Sequence, residues 1–237
     1  MSSEAYPGAA GVDGFKAGWV AAVDLGEERT RIEFFDDFRS LLAEHDRTLG
    51  WLGGPVLIDI PIGLPGRGSR ACDLEARRIL GPRRNSVFAA PIREMLIATT
   101  HEEACAIGRD AEGRGLSLQA FAIMTKIAEV DRQMTPERQA RIREGHPEVS
   151  FAMLAGGPLS TPKSEAAGKQ ERYALIASSF PDFESQAKRY AKRRVLVDIL
   201  DAYALLWSAR RVARGTARSI PVQPETDARG LRIEMVA

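Results

Sequence analysis

Cysteine is nearly absent from this 237-residue chain: Cys72 and Cys105 are the only two. Two thiols cannot staple a small secreted scaffold, so a disulfide framework is excluded. Three scattered histidines with those cysteines offer no zinc-site spacing. No apolar run approaches the roughly 20 residues needed to cross a bilayer, which excludes a membrane-spanning reading. The opening MSSEAYPGAA has no basic stretch and no apolar core, so no signal peptide is expected. A reduced, cytoplasmic setting is the resulting expectation. Excess charge is lacking too: 33 Lys+Arg against 32 Asp+Glu leave a net +1, which does not indicate a globally basic nucleic-acid binder. No G-x-S-x-G elbow and no G-x-x-x-x-G-K-[ST] loop occurs, which argues against a serine hydrolase and a P-loop enzyme.

What is present is a globular composition, 44% hydrophobic and 27% charged. At roughly 150 residues per domain, the length suits one large domain or one domain with an insertion. Charge is clustered locally. Arg67, Arg70, Arg77, Arg78, Arg83, Arg84 and Arg93 lie close together in sequence. An all-arginine cluster favours forked recognition of phosphate or carboxylate, against the commoner reading of a solvated face. Trp19, Trp51 and Trp207 either fill the core or support self-association as a homodimer.

Residues 9–36 read as three strands, AAGVDG, GWVAAVDLG and TRIEFFDDF, the last two joined by a charged hairpin turn, GEER. A short helix is predicted over 37–49. GGPVLIDIPIGLP reads as a fourth strand buried on both faces and ended by Pro61 and Pro65. The helix before it acts as a crossover, so the fourth strand is expected parallel to the first and beside it. Residues 70–135 look mostly helical, with LSLQAFAIMTKIAEVDRQM as one long helix. A fifth strand is expected at 141–146, helices at 148–155 and 165–180, and a last helix at 195–214 capped by Gly215. The tail reads as a packed extension with a terminal strand. The expectation is an α/β fold: a central mixed five-stranded sheet flanked by helices, in a single domain over 1–237 with a helical insertion near 66–140.

Asp13 closes the first strand and Asp59 sits near the end of the fourth. In parallel neighbours their backbones would lie roughly 5 Å apart. Both carboxylates would open on the carboxyl edge of the sheet, where ligands bind in such folds. Two acids so close repel unless a proton or cation lies between them, and Mg²⁺ or Mn²⁺ prefers such oxygen donors. Glu148 in HPEVSF either joins them or opens a helix as a favourable N-terminal acid. His146 beside it could be a base, a ligand or a satisfied structural histidine. Asp198 and Asp201 share a face of the last helix, amid Ile199, Leu200 and Leu205. Acids from these four places could meet, which suits phosphoryl transfer with two cations about 4 Å apart.

The blocks GVDGFKAGWVAA, LIDIPIGLP, RACDLEARRILGPRRNSVFAAP, LSLQAFAIMTKIAEVD, HPEVSF, DILDAYALLWSARR and PETDARGLRIEM occur in that order. Together they resemble the family labelled domain of unknown function 429, whose members are described as predicted RNase H-like nucleases. The resemblance runs from about residue 11 to 236. It implies an RNase H-like fold with metal-binding acids on the first strand, the fourth strand and the last helix, which here are Asp13, Asp59 and Asp201. Glu148 is a further motif residue. The family's other motif positions fall on Arg70, Asp73, Arg77, Arg84, Ser86, Gln119, Lys126, Glu129, Asp131, His146 and Lys163. Arg70, Asp73 and Arg77 are spaced to share one helix face, so the two arginines could grip a phosphate while Asp73 orients them, or form a salt-bridge ladder. Lys126, Glu129 and Gln119 allow a similar polar stripe.

The reading that results is a nuclease or phosphodiesterase dependent on Mg²⁺ or Mn²⁺, acting on nucleic acid or a nucleotide. Two competitors stand beside it: a nucleotide-binding phosphotransferase or ATPase on the same core, and a non-catalytic adaptor that kept the fold.

Overall fold

The computed structural model describes residues 8–47 and 53–237. Trp51 and the last two positions of the helix expected at 37–49 lie outside the described residues.

The chain opens with β1 (Ala10–Phe15), β2 (Gly18–Asp24) and β3 (Thr30–Phe35), an antiparallel meander. α1 (Phe38–Arg47) crosses over to β4 (Val56–Ile58), which pairs parallel with β1. β5 (Ile142–Glu144) then pairs parallel with β4. The sheet order is β3-β2-β1-β4-β5, the mixed α/β sheet expected from sequence. β4 is shorter than expected and stops at Ile58; Asp59 lies just past it, its N–H still donating to the Val12 carbonyl at 2.9 Å.

Between β4 and β5 come α2 (Ala71–Leu80), 3-10 turns at Gly81–Ser86 and Arg93–Ile97, α3 (His101–Glu112), α4 (Leu118–Ala122), α5 (Met124–Gln133) and α6 (Pro136–Gln139). This segment is thus helical but broken. The long helix expected across 116–134 is divided by a turn at Ile123, which puts Gln119 on a separate, exposed turn from Lys126 and Glu129. After β5 follow α7 (Pro147–Ala155), α8 (Ala166–Ser179), α9 (Phe183–Lys188) and α10 (Leu196–Ala213), then a short hairpin of β6 (Ser219–Ile220) and β7 (Met235–Val236). Among the described residues, no helix is long and apolar enough to cross a membrane.

Strand alternation sorts the core onto the two sheet faces. Ala10, Val12, Trp19, Ala21, Val56 and Ile58 pack with Phe38 and Leu41 of α1 and Ile127 and Val130 of α5. Val20, Ala22 and Leu57 face the other way, against α7, α8, α9 and α10. α10 is buried around almost its whole girth, from Ile199 to Ala209, as its apolar circumference demands. Gly11 is what lets it approach: a Cβ there would stand 2.0 Å from the Ala202 carbonyl oxygen and 2.2 Å from the Leu206 nitrogen. α7 is joined to α10 by a buried Ser208 to Ser150 hydrogen bond of 2.8 Å.

Candidate functional site

Period two carries Gly11 on to Asp13 and Leu57 on to Asp59, so both acids leave the sheet on the α10 side. The register pairs Val12 with Ile58, which sets the two acids level at the carboxyl edge. α10 then presents Asp201, 1% exposed, one turn before Leu205, which packs on the sheet. Asp198 on the preceding turn is only half-buried, so Asp201 is the inward acid of the pair. From β5 the chain turns through His146 into α7, whose first turn brings Glu148, 4% exposed. Asp13, Asp59, His146, Glu148, Lys126 and Lys163 line one cleft of about 300 Å³.

Burial raises the carboxyl pKa of Asp13 well above its ordinary 3.8, and the neighbouring Asp59 and Asp201 charges raise it further against the pull of Lys163. Asp59 is raised by burial as well, opposed by His146 and Lys163. Asp201 is pushed up to about 6 by burial, although Lys163 donates to it. A carboxyl whose folded pKa exceeds its unfolded value stabilises the fold below the unfolded pKa and loses that contribution as pH rises through the folded one. For Asp201 the loss runs from 3.8 to about 6, so at neutral pH the bare cluster works against the fold.

Two buried polar atoms in this group lack a hydrogen-bond partner: Oδ1 of Asp201 and Nδ1 of His146. The Oδ2 of Asp201 accepts from Lys163 Nζ at 2.5 Å. His146 Nε2 lies 3.2 Å from the Ser86 carbonyl oxygen. A carbonyl only accepts, so Nε2 is the donor in this contact, and Nδ1 has no hydrogen-bond partner. Ser86 Oγ donates to the Arg83 carbonyl at 2.6 Å, closing the turn that brings Ser86 to the cleft. Glu148 is held on both oxygens by Arg172, at 2.9 and 2.6 Å, with Arg83 at 3.9 Å. Its charge is therefore neutralised within the protein, and it is a fixed part of the wall instead of an unattached base.

The remaining sequence candidates separate. Arg70 and Arg77 line different clefts. Arg70 precedes α2, is 2% exposed, and its guanidinium joins Asp73 and Glu144, at 2.5 Å and 2.7 Å respectively. A charge buried that deeply needs acids around it, and it finds two. Arg77 turns to a neighbouring cleft of about 280 Å³, its Nε donating to the Val87 carbonyl at 3.0 Å. Arg84 is exposed and lines neither cleft. Glu129 accepts from the Phe38 N–H at the start of α1, where an anion meets the helix dipole, so it serves the fold and not the cleft. Asp131 is held by Arg93 and Arg229. Lys126 Nζ donates to the Gly18 carbonyl at 2.7 Å and lies 4.3 Å above the Trp19 ring, at the cleft rim.

Three residues of the site escaped sequence reasoning. Arg172 left a signal: Gly168, Arg172 and Ile176 repeat every four residues along the buried face of α8. Glu144 follows Ile142 at strand spacing, on the inward side of β5. Phe88, 42% exposed, forms a wall common to both clefts and left no pattern in the sequence.

Which acids fit a cation can be judged from their surroundings. Among the described residues, donor atoms already within 4.8 Å of one another belong to Cys72, Asp73 and Glu144. Arg70 already fills that space, and burial raises the Cys72 thiol far above its ordinary range, so it offers no thiolate. Asp13, Asp59 and Asp201 are not mutually within 4.8 Å, but they offer only hard oxygen donors, their pKa values raised chiefly by burial and one Asp201 oxygen unpartnered. That donor set fits Mg²⁺ or Mn²⁺.

A family model described as "Protein of unknown function (DUF429)" matches residues 11–226. The chain belongs to the DUF429 family. The match begins at Gly11, two residues before Asp13, and runs past α10, so in this DUF429 member the acids of β1, β4 and α10 all fall inside it. Neither the curated proteins nor the solved structures hold a significant match.

Proposed function

We propose that the protein is a divalent-metal-dependent phosphodiesterase, a nuclease or nucleotide hydrolase. The observation that carries this reading is the placement of Asp13, Asp59 and Asp201 together, with their raised carboxyls only partly offset by Lys163 and Oδ1 of Asp201 unpartnered. These three residues would hold Mg²⁺ or Mn²⁺, which supplies charge stabilisation to the phosphoryl oxygens and lowers the pKa of water. Lys163 and Lys126 present ammonium groups to a phosphate entering the cleft. His146 lines the cleft with Nδ1 unpartnered, and in its neutral form it would serve as the base toward an attacking water. Glu148, anchored by Arg172, fixes the wall from which His146 projects. Phe88 gives the cleft an aromatic edge on which a base can stack.

Asp13→Asn is expected to cut Mn²⁺-dependent hydrolysis of bis-p-nitrophenyl phosphate by more than about 100-fold, since losing even an outer-shell partner costs up to that much. The variant should fold at least as well as the wild type, because it removes a carboxyl that repels its neighbours. Turnover within a few-fold of wild type would refute the assignment.

A further inference from the structure

We infer that the ammonium of Lys163 stands in the place of a second cation, so that the acidic site takes one divalent ion and not two. The inference rests on the metal-site reading above and deepens it. Asp201 divides its two oxygens: Oδ2 accepts from Lys163 Nζ at 2.5 Å, while Oδ1 has no partner. A two-cation site sets its ions about 4 Å apart, bridged by shared carboxylates. Here one of the Asp201 oxygens already has its cation.

The charge balance points the same way. Asp13, Asp59 and Asp201 bring three negative charges, and Glu148 is matched by its two-pronged pair with Arg172. Lys163 cancels one of the three, and a single divalent ion cancels the rest. The ammonium also acts beyond Asp201, since its charge favours the ionised forms of Asp13 and Asp59.

Lys163 is not a loose surface lysine. The loop ahead of it is fastened by Arg172, whose Nη1 donates to the Thr161 carbonyl at 3.0 Å and to the Gly168 carbonyl at 2.8 Å. Gly168 packs so closely beneath that loop that a Cβ would lie 2.1 Å from the Pro162 carbonyl oxygen. The same arginine therefore neutralises Glu148 and sets the segment that delivers Lys163. The lysine side chain is 42% exposed and lines the cleft. In this arrangement Lys163 is a positioning residue that acts through Asp201 as a fixed, non-exchangeable cation.

The test is Mn²⁺ stoichiometry by calorimetry together with electron paramagnetic resonance. Wild type should bind one Mn²⁺ per chain, with an isolated-ion spectrum. Lys163→Met should bind two and show the exchange-coupled spectrum of a close Mn²⁺ pair, while Lys163→Arg should stay at one. Should Lys163→Met melt too readily to titrate, Lys163→Gln removes the charge and keeps a polar end. Two ions in wild type would overturn this inference and leave the hydrolase reading standing. One ion in both wild type and Lys163→Met would also overturn it. No binding by any of these proteins would overturn both.

Discussion

Gly11→Ala is expected to destabilise the protein by more than about 3 kcal/mol, beyond the usual range for an added methyl group in a packed core. The added carbon would meet backbone, at 2.0 Å from the Ala202 carbonyl oxygen and 2.2 Å from the Leu206 nitrogen. A side chain could rotate away, but a helix backbone cannot yield without moving α10 as a body. That movement would carry Asp201 away from Asp13, so metal affinity should fall along with stability. Gly66→Ala is the matched control. Nothing lies within 4 Å of its added carbon, and a change within about 0.5 kcal/mol is expected. Urea melts of the two variants check this, and a Gly11→Ala midpoint equal to that of Gly66→Ala would contradict the packing described for β1 and α10.

Arg70→Met should be a severely destabilising single change outside the Asp13, Asp59 and Asp201 group, although Arg70 and Glu144 also line the cleft. Removing one partner of a buried ion pair typically costs about 3–5 kcal/mol, because the other charge is left without compensation. Here two acids are stranded, Asp73 and Glu144, both 2% exposed or less. They also bind backbone: Glu144 accepts from the Ile62 N–H at 2.6 Å and Asp73 from the Ala90 N–H at 3.3 Å. The arginine thus ties β5, the strand exit after Asp59 and the start of α2 into one network. The triple variant Arg70→Met/Asp73→Asn/Glu144→Gln should recover much of the loss in a denaturant melt. Recovery would assign the damage to unpaired charge, whereas a triple variant less stable than Arg70→Met would contradict it.

The sheet was legible in the sequence because its signals are local. Alternation in GWVAAVD, the charged hairpin turn and the single crossover helix together specify strand order. The places of Asp13 and Asp59 followed from that order, since strand ends have fixed geometry, whereas spacing left Asp198 and Asp201 on one helix face and the family resemblance favoured Asp201. For Arg70, helix spacing left a phosphate grip and a salt-bridge ladder both open, and could not show that its pair with Asp73 is buried. Its other partner, Glu144, lies 74 positions away in sequence, and only the fold brings it near. Arg172 was hidden for the same reason, since its meaning depends on an acid supplied by another element; the family resemblance marked Lys163, but not its pairing with Asp201. Arg77 and Arg84 show the opposite limit: clustering in sequence did not become one phosphate grip, because a short turn sends neighbouring arginines in different directions.

The most direct test of the account is calorimetric titration of Mn²⁺ into the wild type and into Asp13→Asn/Asp59→Asn. At neutral pH the wild type should bind and the double variant should not. Wild-type affinity should fall as pH drops through about 6, where Asp201 takes up a proton that competes with the ion. Unchanged binding in the double variant, or no binding by the wild type at neutral pH, would contradict a metal site at this sheet edge.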